Sequence, residues 1–229
     1  MTALTIVQNA CDRLLISRPG AVFSSTDDQV IQLRGLMNQD GKELASRHNW
    51  NELVVETSFT TVATNAQTAV ATDFDHIVND SMWNRTQNRP IFGPLTAQRW
   101  QQEQSGPTYT VNNLAYRFRG GQVLLTPTPT AGESVYYEYV STNWAETSGG
   151  TGLSTMTADD DVAVLDEELI TKGLVWRYLH AKGFDYAEAF RTWDMEVNKA
   201  IARDGGAPVL NIGQTKQRIW PNVKEGSWP

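Results

Sequence analysis

Along residues 2–17 the apolar side chains Leu4, Val7, Cys11, Leu14 and Leu15 recur at the spacing of one face of an α-helix, and Pro19-Gly20 ends the segment. A second helix is expected to start at Ser25 or Thr26, because Ser25-x-x-Asp28 and Thr26-x-x-Gln29 both have the form of a capping box. Its apolar face reads Val30, Leu33, Met37 and Leu44, with His48 at the end, so the two segments predict a helical hairpin with a polar outer face. At Trp50 the period changes. Leu53, Val55, Thr57, Phe59 and Thr61 alternate with Val54, Glu56, Ser58 and Thr60, which is strand spacing. Farther on, Tyr116–Arg119 and Gln122–Leu125 flank Gly120-Gly121, the signal of a two-residue hairpin whose turn needs positive φ. Pro127 and Pro129 stop that strand, Ala131-Gly132 turns, and Val135–Ser141 reads as the next one. A short helix over Leu95–Gln104, capped by Thr96, interrupts the strands.

Residues 145–162 are rich in Gly, Ser, Thr and Asp and predict a loop or linker. Helical spacing then returns twice. Asp166 caps a helix carrying Leu169, Ile170, Leu174, Trp176 or Val175, and Tyr178, closed by Gly183. Asp185 starts another with Tyr186, Phe190, Trp193, Val197 and Ile201 on one face, closed by Gly205-Gly206. The fold class expected is therefore α+β: a helical bundle (N-terminal hairpin plus C-terminal helices) with an inserted antiparallel β domain and an extended C-terminal arm. The division predicted is 1–51 for the N-terminal helices, 52–145 for the β domain, 146–206 for the linker and C-terminal helices, and 207–229 for the arm.

Composition adds boundaries to this picture. With 229 residues the chain buries roughly 70% of its unfolded surface and needs no staples. Its lone cysteine, Cys11, excludes an intramolecular disulfide framework and points to a reducing compartment. No apolar run approaches the ~18 residues of a membrane span, and the start Met1-Thr2-Ala3-Leu4 lacks the form of a secretion signal. The net charge of −7 is uneven. Residues 84–125 hold Arg85, Arg89, Arg99, Arg117 and Arg119 against Glu103 alone, and the last 25 residues hold Lys216, Arg218 and Lys224 against Glu225. The rest of the chain is acidic, which argues against general adhesion to nucleic acid.

Candidate chemistry is sparse. Cys11 sits on an apolar helix face and reads as a small buried thiol. His48, His76 and His180 lie in separate segments without metal-ligand spacing and are expected in capping or packing roles. No P-loop, GxSxG, HExxH or GxGxxG pattern is present, and Gly149-Gly150-Thr151-Gly152 lacks the lysine of a phosphate cradle. Asp159–Asp161 and Asp166–Glu168 do not follow the alternating pattern of a calcium loop and are expected as solvated carboxylates at a helix N-terminus. Asp80–Pro90 interleaves Trp83 with Arg85 and Arg89, as nucleic-acid or partner surfaces can, and the arginines are expected to pair with nearby acids rather than with nucleic acid. No catalytic, cofactor or metal residue is assigned, and no cofactor is expected. The arm is the exception to this plainness. Val209, Leu210, Ile212, Ile219, Trp220 and Trp228 are costly to leave in water, so the arm either folds back on its own bundle or docks on a partner.

The order of these pieces resembles a family: the head-to-tail adaptor (connector) proteins of tailed bacteriophages, the group that includes podoviral tail tubular protein A. The matching strings are Leu15–Pro19, Ser24–Asp27, Arg47-His48-Asn49-Trp50, Asp73–Ile77, Trp83-Asn84-Arg85, Tyr116–Gly121, Pro127–Gly132, Glu138-Tyr139, Asp166–Leu169, Lys182–Glu188 and Ala202–Gly206. None is an enzyme motif; their order through residue 206 carries the resemblance. It implies a structural protein of the virion head–tail junction, made in the host bacterial cytoplasm and assembled as a ring of about twelve copies. In that reading the ring docks on the portal protein, continues the DNA channel to the tail nozzle or tail tube protein, and lets genomic DNA pass through its lumen without specific binding. The arm would insert into the portal through Ile219, Trp220 and Trp228, with Lys216 and Arg218 at the polar rim. Other readings are a different tail ring component, such as a terminator or nozzle subunit, and a carbohydrate-acting virion enzyme using two carboxylates.

Overall fold

The computed structural model describes residues 2–105 and 114–205. Among the described residues five α-helices and eleven short strands follow the predicted order of helices, then strands with one short helix among them, then helices, though most of the shortest strands were not predicted. Helix α1, Ala3–Leu14, starts at Thr2, whose hydroxyl accepts from the Thr5 amide, and α2, Asp28–Arg47, starts at Asp27, whose carboxylate accepts from the Gln29 amide at 2.8 Å. A short helix α3, Ala97–Ser105, begins under Thr96, whose hydroxyl accepts from the Arg99 amide at 3.2 Å. Helix α4, Glu167–Lys182, is capped by Asp166 and closed by Gly183 in the left-handed region at φ 74°, as its sequence signals require. Helix α5, Ala187–Arg203, completes the bundle.

Three of these helices meet on α4. α1, α2 and α5 each pack along it, while α1 and α2 touch each other sparsely, so the N-terminal pair is held together by the C-terminal helix. Helix α4 buries Leu169, Ile170, Thr171, Gly173, Leu174, Arg177 and Tyr178, an arc of a little over half its circumference that mixes apolar with polar side chains. Val175 and Trp176, between which its sequence leaves the choice open, are both half-buried beside that arc. In α1 the buried set is Ala3, Ile6, Val7, Ala10 and Cys11. Leu15, predicted on that face, instead ends the helix in the left-handed conformation at φ 55° and stands 93% exposed. Burial pushes the Cys11 thiol above its ordinary pKa, in keeping with a packing role.

The strands form three antiparallel sheets. The largest comprises β1 (Val54–Thr60), β3 (Phe74–Ile77), β4 (Trp83–Asn84), β5 (Arg89–Pro90) and β8 (Ser134–Ser141), with β8 pairing β1, β3 and β4. The β1–β8 register runs from Val54 opposite Val140 to Thr60 opposite Ser134. The second joins β2 (Ala66–Ala69), β6 (Ala115–Arg119) and β7 (Gln122–Thr126), where Gly120 and Gly121 take φ 60° and 71° in the turn that their sequence signals. Tyr116, Val123, Leu125, Val135, Tyr137 and Tyr139 form a core distinct from that of the bundle.

The stretch predicted as a linker is built differently. It forms a third small sheet from β9 (Ala145–Glu146), β10 (Gly152–Leu153) and β11 (Val162–Ala163), bolted to the helices. Asn38 on α2 accepts from the Met156 amide at 2.9 Å and donates to its carbonyl at 3.3 Å. Trp144 is fully buried beside Gly41, and its indole N–H donates to the Ser154 carbonyl at 2.9 Å. Asp159 and Asp161, predicted as solvated carboxylates, are likewise structural. Asp159 Oδ1 accepts from the Val22 and Phe23 amides at 2.9 Å each, and Asp161, 2% exposed, accepts from the Thr157 and Ala158 amides. Polar side chains that satisfy local backbone donors need no regular element to hold a buried loop. Asp160 takes the Ser148 hydroxyl at 2.8 Å, so each of the three acids has a local partner.

Candidate assembly surfaces

At the centre of the bundle a charge lock joins α2 to α4. Arg177 Nε donates to Asp40 Oδ1 at 2.8 Å and Nη2 to Glu43 Oε2 at 2.7 Å, and the Arg177 and Asp40 side chains are 7% and 0% exposed. Gly173 sits opposite because any Cβ there would overlap the Asp40 carboxylate. Asp40 Oδ2 is buried with no partner among the described residues. Burial pushes the Asp40 carboxyl up to about 7, against the pull of Arg177 and with help from nearby Glu43. Asp40 therefore holds a proton between about pH 4 and 7 in the folded chain that the unfolded chain has released. The expected result is an unfolding free energy that falls as pH rises through this window. Asp12, Glu188 and Glu196, held low by Arg18, Arg191 and Lys199, act below it. Urea titrations at stepped pH check this: the downward slope should flatten in Asp40→Asn, and an unchanged slope there would exclude Asp40 as its source.

A second feature lies where α4 ends and α5 begins. Trp176, His180, Tyr186, Ala187 and Phe190 line an open cavity of about 450 Å³. The Trp176 and Phe190 rings are edge-on at 5.1 Å, and His180 and Tyr186 at 4.7 Å. On one side Trp193 closes the stack at 5.6 Å from Trp176 and is itself buried, its indole donating to the Leu169 carbonyl at 3.1 Å. Phe184, Tyr186 and Phe190 remain exposed, at 61%, 37% and 40%. Thus the predicted α5 face is half core, through Trp193 and Val197, and half surface, through Tyr186 and Phe190. Residues missed in the sequence as a cluster, Trp176 and His180, join it from α4, one turn apart on that helix.

In the β region Arg85 and Arg99 are paired with acids at the surface, as expected. Arg85 Nη2 donates to Glu56 Oε1 at 2.9 Å, and its guanidinium lies 3.4 Å over the Tyr136 ring. Arg99 faces Glu103 one helical turn away at 3.3 Å. Arg117 and Arg119 stand on β6 opposite Leu124 and Gln122, alternating with the core-side rings of Tyr116 and Phe118. His76 lies 2.6 Å from Asp75 and 3.1 Å from Asn49, a contact between the strands and the end of α2.

The chain leaves the bundle at a fixed point. Asp204, just after α5, accepts from the Asn51 amide at 3.1 Å and its side-chain amide at 2.7 Å, and lies 3.0 Å from His48 Nε2. These contacts place the root of the C-terminal segment where α2 hands over to β1. Lys216, Arg218, Ile219, Trp220 and Trp228, the site residues read from the sequence, lie outside the described residues. Among the described residues no group of three or more His, Cys, Asp or Glu side chains is arranged to hold a metal ion, and no helix is long and apolar enough to cross a membrane. The family model of the SU10 adaptor protein matches residues 1–217, which takes in both the helices and the strands as well as Lys216. No curated protein matches the chain.

Proposed function

The chain belongs to the SU10 adaptor protein family, and from that premise we propose that it forms the ring joining portal and tail. The single observation carrying this reading is the family match across bundle and sheets alike, which makes the chain a structural phage adaptor of the virion. In our reading about twelve copies close into a ring through their helices, as a repeated heterologous contact must when its rotation closes. Residues 207–229 form the upward anchor on the portal, with Ile219, Trp220 and Trp228 as apolar anchors and Lys216 and Arg218 at the rim. The strands of residues 52–145 face the tail nozzle or tail tube protein. The acidic balance of −7 suits a channel that genomic DNA crosses without adhering, since like charge repels phosphate.

Two features of the molecule support the arrangement. The Asp40–Arg177 lock and the Asn38–Met156 clamp make the bundle and the 145–163 sheet one packed unit, which a ring under internal DNA pressure needs. The Asp204 root fixes where the arm departs. The test is co-sedimentation with portal rings of the same virus. The full chain is expected to pellet at about twelve copies per ring. A chain ending at Gly206 is expected to lose at least ~30-fold in affinity, the cost of one or two anchor residues at ~2 kcal/mol each. A truncated chain that binds the portal as well as the full chain would remove the arm from that role. A full chain that ignores the portal would move the protein to a distal tail ring.

A further inference from the structure

We propose that the aromatic groove between α4 and α5 is the seat of the chain's own C-terminal arm in the free subunit, with Ile219 and Trp220 as its occupants. The contact is a holding position that keeps the arm out of solvent until a partner takes it. Its consequence for assembly rests on the portal reading above; the contact itself does not.

The groove has the properties of a site made for an aromatic side chain and lacks an occupant among the described residues. Its cavity of about 450 Å³ is walled by Trp176, Tyr186 and Phe190, with His180 adding a polar edge. Two of these rings and the neighbouring Phe184 are more than a third exposed. So many large rings left together in water are unfavourable by the ordinary measure of buried apolar area.

The length and tether of the arm select it as the occupant. Helix α5 has 17 residues, and at 1.5 Å per residue its two ends are roughly 25 Å apart. The root at Asp204 is at one end and the groove at the other. From Gly205 to Trp220 an extended chain spans roughly 50 Å, so Trp220 reaches the groove with slack to spare. Tethering at that distance gives an effective concentration on the order of millimolar, far above that of any other copy in dilute solution.

Limited trypsin digestion of the full chain tests the contact, because Lys216 and Arg218 are cleavage sites beside the proposed anchors and cleavage reports the open population. Cleavage after these two residues, followed by mass spectrometry, should be at least ~10-fold slower in the native chain than in Phe190→Ser or Tyr186→Ser. Both substitutions are at exposed positions of α5 and its lead-in and should leave the fold intact. Trp220→Ser, a change outside the described fold, should speed cleavage to the same extent. The protection should be unchanged on ~100-fold dilution. Equal rates in native and variant chains would overturn the proposal. So would protection that vanishes on dilution, which would make another copy's arm the occupant. Portal co-sedimentation is read separately: loss of the groove contact with portal binding retained leaves the adaptor reading standing, and the reverse pattern sinks that reading alone.

Discussion

Replacing Arg177 by methionine should lower the stability of the chain by about 3–5 kcal/mol near pH 7, the cost of stranding a buried charge. Arg177 is the only cation that the described residues bring to Asp40, whose side chain is fully buried and already leaves Oδ2 without a partner. Without Arg177, Asp40 either stays charged in an apolar interior or takes up a proton, and both states are less favourable than the pair. The loss should therefore shrink toward pH 5, where burial has already driven Asp40 to its protonated form. Glu43 loses a partner too, but it is half exposed and solvent replaces most of that contact. Packing adds to the cost, since the Arg177 guanidinium lies 4.4 Å over the Trp176 ring. The decisive comparison is the double variant Asp40→Leu with Arg177→Met. Apolar residues of similar size in place of both ends of a buried pair are frequently neutral, so the double variant should recover most of the loss. Urea unfolding of the three chains measures this, and a double variant as unstable as Arg177→Met would show that the charge pair is not the source.

Two glycines six positions apart on α2 should respond to alanine with opposite signs. Gly41 faces the ring of Trp144, and a Cβ there would come within 2.5 Å of three ring carbons. The ring is fully buried and pinned by its hydrogen bond to the Ser154 carbonyl, so it has nowhere to go. Overpacking of this kind costs about 3 kcal/mol, which for a chain of this size is a drop in Tm of roughly 6–12 °C. Gly35 is exposed with nothing within 4 Å of the same added atom. Alanine there removes the entropic cost of glycine in a helix and should stabilise by about 0.5–1 kcal/mol. Thermal unfolding of both variants checks the pair of signs. A Gly41→Ala chain as stable as the parent would mean that the sheet of residues 145–163 moves freely against α2.

The two variants also bear on assembly. In the ring proposed above, load would pass through the contact of α2 with residues 144–163, where Asn38, Gly41 and Trp144 meet. Gly41→Ala loosens that contact without touching the arm, so stability should fall in this variant while the portal binding proposed for the arm is retained, whereas arm truncation should remove that binding and lower Tm by no more than the groove contact contributes.

Much of the architecture was present in short windows of sequence. The switch from helical to alternating spacing at Trp50, the Gly120-Gly121 turn, Thr96 over α3, and Asp166 and Gly183 at the two ends of α4 are each decided by neighbours within a few residues. A backbone that needs a side-chain acceptor, or a positive φ, records that need locally. The family was legible for a related reason, since the order of many short strings survives without knowledge of their contacts. The apolar character of the arm was legible too.

What lay beyond any window were choices among partners far apart in the chain. Asp40 meets Arg177 across 137 residues, and Gly173 is required only because Asp40 is there. Leu15 fits the apolar stripe of α1 by spacing yet stands in solvent, because it is the left-handed residue that ends the helix and leaves the buried face to Ala3, Ile6, Val7, Ala10 and Cys11. Asp159 and Asp161 looked like surface charge and became the partners of buried amides, since a loop packed on a bundle must satisfy its backbone from its own side chains. The groove, likewise, exists only once the turn at Gly183 lays Tyr186 and Phe190 against Trp176 and His180. Local spacing fixes which faces are apolar. Which faces meet, and which are left open for a partner, is settled by close packing across the whole chain, where each contact excludes the others.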